Sequence, residues 1–201
     1  MPRITSIVAP PAPLLLGPPD DGRALAADAY AAADWAEPWA FERVDGRLRL
    51  MSPEGQDHVR TSTPWLHRLV AYAAVHPDRV QAVVPAPWVR IDPDNDRIGD
   101  IGVYLGGLLA DLNLPDQVPD ILIEFVSPSA ADRRRDYVEK RADYARAGVR
   151  EYVIVDRFDR RVTVLTLRDG QYEERVVAGD GMYETPLLPG LAIAPAGIWP
   201  E

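Results

Sequence analysis

PDILIEFVSPS, residues 119–129, is the stretch on which the reading of this 201-residue chain turns. By the two-residue repeat of an extended strand, Ile121, Ile123 and Phe125 point to one face and Leu122, Glu124 and Val126 to the other. Both faces are apolar, so the stretch reads as a central strand with a carboxylate set into it. An isolated buried charge is costly enough that it neutralises, finds a counter-charge or binds a metal. Glu124 is therefore the first candidate functional residue, with Asp100 beside another apolar run and Lys140 downstream as its nearest partners. Two acids and a lysine around one sheet edge suggest metal-dependent phosphodiester chemistry.

C-terminal to this strand, ADRRRDYVEKRADYARA predicts a helix over 131–147, with Gly148 as its stop. Ser127 and Ser129 precede it without the context of a nucleophile elbow, so helix capping is their expected role. Tyr137, Lys140 and Tyr144 share a helix face, which turns Lys140 toward the sheet that carries Glu124. The competing reading is a solvated helix in which Lys140 pairs with Asp136 one turn earlier, and spacing alone favours it. Arg133, Arg134 and Arg135, followed by Arg141 and Arg146, form a local basic cluster. A strand at 151–156 and a hairpin over 161–177, turning at Asp169-Gly170, complete this half.

On the N-terminal side, prolines at 2, 10, 11, 13, 18 and 19 mark residues 1–21 as an extended arm before a single domain over 22–201. RALAADAYAAADWA predicts a helix from about Arg23 to Ala36, capped by Asp20 or Asp21. Asp45-Gly46 predicts a two-residue turn between Phe41–Val44 and Arg47–Met51. The next helix carries Trp65, Leu66, Leu69, Val70 and Ala73 on one side. It begins with Thr63 as cap and Pro64 in first position, or else at His58 with a kink at Pro64. VQAVVPAPWVRI and IGDIGVYL, separated by DPDNDR, read as one antiparallel pair, followed by a connecting loop over 106–116 and a C-terminal edge strand with a docked tail. The element order describes an α/β fold with a mixed sheet.

Lysines and arginines number 22 against 31 acids, a formal charge of -9 that opposes broad attraction to polyanions, so a nucleic-acid role needs a local patch. The absence of cysteine excludes disulfides, thiolate zinc sites and cysteine nucleophiles. The N-terminal apolar stretch is short and broken by prolines, so the expectation is a soluble, cytoplasmic protein with no membrane anchor. No internal repeat, phosphate loop or dinucleotide fingerprint is present, and nothing suggests a glycan cleft.

FERVDGRLRLMSPEGQDH (41–58), RIGDIGVY (97–104) and PDILIEFVSPSAADRRRDYVEKRADYARAGVREYVIVD (119–156) together resemble the Uma-type restriction endonuclease family, over about residues 25–193. That resemblance implies a PD-(D/E)xK nuclease fold, a restriction-endonuclease-like mixed β-sheet flanked by helices with additional β-hairpins. It also implies cleavage of DNA by a divalent-metal-dependent endonuclease. The acid pair would be Asp100 and Glu124. The usual lysine two positions after the glutamate is absent, since Val126 stands there, and Lys140 matches a helical substitute. Gly99 stands where the family more commonly has proline. Glu42 and His58 also match family positions: Glu42 would complete the acidic cluster or hold Lys140, and His58 would contact the phosphate or a metal-bound water, or simply bond its own loop.

Magnesium, or manganese, suits this set, because hard cations take oxygen ligands: Asp100, Glu124 and the Phe125 carbonyl, with water elsewhere. Lys140 would orient or deprotonate the attacking water or offset phosphate charge, and Arg133, Arg134 and Arg135 would contact the nucleic acid. A homodimer is expected, since one small domain offers one site for two strands. Asp120 lies about 13 Å of extended chain before Glu124, too far to share a metal through one strand. The alternative is a protein that keeps the nuclease fold for binding or assembly without catalysis.

Overall fold

Two sheets grow from interleaved segments of the computed structural model, which describes residues 13–53, 55–106, 117–178 and 181–199. In chain order these are β1 (Leu15–Leu16), α1 (Ala27–Ala31), β2 (Asp34–Trp35), β3 (Ala40–Val44), β4 (Arg47–Met51), α2 (Gln56–Val75), β5 (Val80–Pro85), β6 (Trp88–Asp92), β7 (Asn95–Ile98), β8 (Ile101–Leu105) and β9 (Ile121–Phe125). After β9 come α3 (Ala130–Arg134), a π-helical turn (Arg135–Glu139), α4 (Lys140–Ala147), β10 (Glu151–Asp156), β11 (Arg161–Arg168), β12 (Gln171–Ala178), β13 (Tyr183–Glu184) and β14 (Ala192–Ile193).

The larger sheet runs β12-β11-β10-β9-β8-β5. Its one parallel pair, β9 with β10, is bridged by the α3–α4 segment, as a crossover connection requires; the other neighbours are antiparallel. β9 is therefore internal, and all five of its residues are buried. Its two faces feed two cores. Ile121, Ile123 and Phe125 meet Trp65 and Leu69 of α2, together with Leu188 and Leu191 from the C-terminal segment. Leu122 and the following Val126 meet Tyr144 and Tyr152. The smaller sheet, β4-β3-β7-β6, is antiparallel and packs its own cluster of Leu16, Tyr30, Phe41 and Leu48.

Both Asp-Gly turns form as the sequence requires, with φ of 51° and 71° at Asp45-Gly46 and of 48° and 79° at Asp169-Gly170. Gly148 ends α4 at φ 87°, a left-handed position that a side chain would strain. Three expectations need correction. The helix read over Arg23–Ala36 shrinks to α1. Gly22 donates its N–H to the Leu48 carbonyl, the Leu48 N–H donates to the Arg23 carbonyl, and Ala24 bridges Arg47, so the first residues are drawn along β4 while Asp34–Trp35 pairs in parallel with β1. Tertiary pairing overrides alanine propensity here, and neither acid caps α1: Asp20 accepts from Gly17 in the capping box of a 3-10 turn at Pro18–Asp20, and Asp21 accepts from Leu50. Of the two starts read for α2, the one at Thr63 is corrected and the one at His58 is close: α2 begins at Gln56 with Gly55 as its cap, so Pro64 lies inside it and the proline's missing donor is tolerated.

The third correction concerns the antiparallel pair. VQAVVPAPWVRI splits at Pro85–Pro87, β5 staying with β8 in the larger sheet while β6 pairs β7 in the smaller one. The chain crosses back between β7 and β8 at Gly99 and Asp100, which puts Asp100 at the seam of the two sheets. Residues 1–12 of the N-terminal arm and 107–116 of the expected loop lie outside the described residues; from β1 onward the arm is docked, with Leu16 fully buried. Among the described residues no helix is long and apolar enough to cross a membrane.

Candidate active site

Antiparallel register carries the acid pair together. Ile101 of β8 stands opposite Ile123 of β9, so Asp100 reaches the level of Glu124, and its Oδ2 accepts the Phe125 backbone N–H at 2.6 Å. Gly99 sets up this crossing: it donates its N–H to the Pro87 carbonyl at 3.0 Å, and an added Cβ would stand 2.9 Å from Leu122 Cδ2. A proline at 99 would lose that bond, which gives the glycine a reason of its own in this chain. His58, in the first turn of α2, places Nε2 3.5 Å from Asp100 Oδ1, its ring set edge-on to Phe125.

Glu124 is 4 % exposed, and its Oε1 accepts both the Lys140 ammonium at 2.8 Å and the Tyr144 hydroxyl at 3.0 Å. Lys140 Nζ also donates to the Ile98 carbonyl at 2.8 Å and lies 3.4 Å from Glu42 Oε1. The buried ammonium thus has two hydrogen bonds and a further carboxylate beside it as counter-charge. Burial by itself would depress the Lys140 pKa, but the charges of Glu124, Glu42 and Asp136 outweigh it and hold the group well above its ordinary value. Glu42 in turn binds Arg97 at 2.8 Å, which reaches Asp143 at 2.7 Å. Burial pushes Glu42 up, yet Lys140 and Arg97 prevail and lower its pKa.

The helix between β9 and β10 is phased by its π turn. The inserted residue leaves Lys140 and Tyr144 aimed at Glu124 while Tyr137, expected on the same face, donates to Asp156 at 3.0 Å. The same turn buries Asp136, which bonds Arg135 at 3.4 Å and not Lys140 as the solvated-helix reading had it. Burial, opposed by Lys140 and reinforced by Glu124, pushes the Asp136 carboxyl up to about 7. Asp136, Tyr144 and Arg97 were not singled out as site residues from the sequence. A helix-period rule cannot place Asp136 across a π turn, and Arg97 stands in a strand whose partner sheet was not foreseen.

These groups surround a cavity of about 290 Å³ closed on one side by the loop from β4 to α2, and Asp100, Glu124, Lys140, His58, Arg135 and Arg49 line it. Arg135 is held at its rim by Asp132 at 2.8 Å. The other two arginines of the run lie outside it: Arg133 is bound by Asp156 at 2.8 Å and Asp159 at 2.5 Å, and Arg134 is 77 % exposed. Asp120 bonds Leu105 and Arg150 at the opposite end of β9, Ser129 caps α3 through the Asp132 N–H, and His76 rests on Tyr72.

As a cation site, the cavity offers the carboxylates of Asp100 and Glu124, while the third carboxylate on its lining, Asp132, is engaged by Arg135 and Ser129. Among the described residues no group of three or more acidic or histidine side chains converges to hold a metal. Asp100 and Glu124 with one backbone carbonyl fit a hard cation that retains several waters, and do not fit a closed, tetrahedral zinc site.

The solved structure titled as a putative nuclease belonging to DUF820, from Anabaena variabilis ATCC 29413, superposes with a TM-score of 0.70 at 16 % identity, covering 87 % of this chain and 97 % of that one. At that identity the likeness speaks for the fold, which is the expected mixed sheet flanked by helices. No curated protein matches the chain. The family model Uma2, described as "Putative restriction endonuclease", matches residues 28–196, from the middle of α1 to beyond β14. With its acid pair and lysine converging on one cavity of a nuclease-like fold, and with most of its length matched, this chain belongs to the Uma2 family.

Proposed function

We propose that the protein is a divalent-metal-dependent endonuclease that hydrolyses phosphodiester bonds in DNA, with magnesium or manganese as its cation. The observation that carries this reading is the meeting of Asp100 and Glu124 at the base of a cavity also lined by Lys140 and Arg135. Asp100, Glu124 and the Phe125 carbonyl would hold the cation, which supplies an acidified water and neutralises charge as the phosphate is attacked. The chain's own groups do the rest. Lys140, kept protonated by the carboxylates around it, is a poor base at neutral pH and so orients Glu124 and offsets phosphate charge. Glu42 holds Lys140 in place from the smaller sheet. His58, beside Asp100, contacts the attacking water or a phosphate oxygen, and Arg135 binds phosphate at the rim, with Arg133 and Arg134 further along the same helix.

Because the overall charge is -9, affinity for DNA rests on this local set and falls as salt rises. A homodimer, working in the cytoplasm, would bring two such sites to two strands. The test is cleavage of plasmid, linear, single-stranded and branched DNA with magnesium or manganese. Glu124→Gln is expected to lower the rate by at least about a hundredfold. Equal rates in wild type and variant would overturn the assignment.

A second reading, a nuclease fold kept for binding without catalysis, is favoured by the burial of Lys140, whose ammonium bonds Ile98 and Glu124 and lies beside Glu42 within the protein. It requires that magnesium leave the melting temperature unchanged, whereas a site that binds the cation in the native state raises it.

A further inference from the structure

A second cavity, of about 400 Å³, adjoins the first and shares Gly55, His58, Phe125 and Ser127 with it. The two differ in chemistry. The first holds Lys140, Arg135 and Arg49, whereas the second has a floor of Phe125, Val126, Pro128 and Val155 and a rim where Asp57 and Arg157 neutralise each other at 3.2 Å. Gln56, exposed at the start of α2, stands on that rim, and the Thr61 hydroxyl donates to the Asp57 carbonyl at 2.7 Å, leaving its oxygen free to accept. A cavity of this size with an apolar floor and a few fixed polar groups suits a small planar ligand.

We propose that this second cavity is a subsite for the base and sugar of an unpaired nucleotide next to the scissile phosphate, so that the protein favours single-stranded or frayed DNA over intact duplex. The inference rests on the nuclease reading above and narrows its substrate. Phosphate charge belongs where the cations are, in the first cavity. The second cavity shares lining with the first, so a base carried next to that phosphate is placed to enter it. A base inside a duplex is stacked and paired, and cannot enter without being extruded at a cost that an unpaired base does not meet.

Fluorescence anisotropy on the Glu124→Gln protein with magnesium, comparing a short single strand with the same sequence as blunt duplex, tests this. The single strand is expected to bind about tenfold more tightly. Adding Gln56→Trp, which plugs the mouth from an exposed position, should abolish that preference while duplex affinity changes by no more than about twofold. Gln56→Ala, which leaves the mouth open, should retain it. Equal affinities, or a preference that survives Gln56→Trp, would overturn the subsite. The nuclease reading is judged separately by wild-type cleavage: no cleavage together with a plug-sensitive preference removes that reading and keeps the subsite, and cleavage with indifference to strandedness does the reverse.

Discussion

Glu124 and Glu151 are the same residue on neighbouring parallel strands, Glu124 opposite Ile154 and Glu151 opposite Ile121, and both are nearly inaccessible, at 4 % and 2 %. They point to opposite faces of the sheet. Glu124 meets an ammonium and a phenol and borders a cavity. Glu151 accepts from hydroxyls, those of Tyr183 at 2.7 Å and Thr185 at 2.9 Å, and fastens the C-terminal segment across the α2 face. Burial pushes the Glu151 carboxyl up, and those two bonds only partly restrain it. A buried carboxylate is thus put to two uses in one sheet: a group held by a counter-charge at the edge of a cavity, and a staple bonded to hydroxyls in a closed core.

The sharpest way to break this contrast is to remove the counter-charge. Lys140→Met leaves Glu42 and Glu124 buried without their shared ammonium, and should cost about 3–5 kcal/mol in urea denaturation. Pairing it with Glu124→Gln should recover a large part of that loss, because the uncompensated charge goes too. Glu151→Gln, by contrast, removes a charge that has no bonded cation, and its urea midpoint at neutral pH should stay level or rise. Similar losses for Lys140→Met and Glu151→Gln would mean that the two carboxylates are held alike.

The hydroxyl contacts separate the sites at a smaller scale. Tyr183→Phe deprives Glu151 of one of its two bonded donors and should cost about 1–3 kcal/mol, whereas Tyr144→Phe leaves Glu124 its lysine and should cost about 1 kcal/mol or less. A reversed order in thermal denaturation would show that the Lys140 contact does not dominate at Glu124.

pH sharpens the same division, with opposite signs. The Glu151 pKa is raised in the fold, so its stabilising contribution is complete below its ordinary value of 4.5 and is lost as pH rises through the folded value. Asp136, pushed up to about 7, behaves likewise from its ordinary 3.8 upward. Glu42 is lowered, so its contribution is present above 4.5 and is lost as pH falls through the folded value. Glu151→Gln should therefore flatten the decline in melting temperature as pH rises above 4.5, and Glu42→Gln should flatten the acid limb below 4.5 while lowering stability at neutral pH. If Glu151→Gln steepens the neutral limb instead, the staple is ionised.

What could be read in advance follows the range over which each interaction acts. The alternation around Glu124, the two Asp-Gly turns and the Gly148 stop are local, and each leaves its mark within a few residues. The shortening of the helix over Arg23–Ala36 to α1, the division of VQAVVPAPWVRI between two sheets and the meeting of Glu42 with Lys140 depend on pairing between distant segments, to which local propensity is blind. The acid pair and lysine were nevertheless nameable as candidates, because a charge inside an apolar strand demands a partner. Their setting was not: the π turn that shifts Tyr137 away and buries Asp136 comes from one residue more than a regular helix would place there.

The smallest effects concern the arginine run, where neighbours in sequence part company in space. Arg135 lines the cavity beside Lys140, while Arg134, one position earlier, projects into solvent. If phosphate is bound at the rim, Arg135→Ala should lower the dependence of log affinity for DNA on log salt by about one unit and reduce cleavage by about tenfold, since it removes one phosphate contact near the reacting bond. Arg134→Ala should lower the salt slope by no more than that, change stability by less than about 0.5 kcal/mol and leave the cleavage rate within about twofold, because an exposed side chain at that distance adds only long-range attraction. Titrations at several salt concentrations measure the slope, and single-turnover cleavage measures the rate. Equal rate losses for the two variants would place the substrate along the outer face of the helix, away from the Asp100–Glu124 pair, and would weaken the assignment of the cavity as the place where the bond is cut.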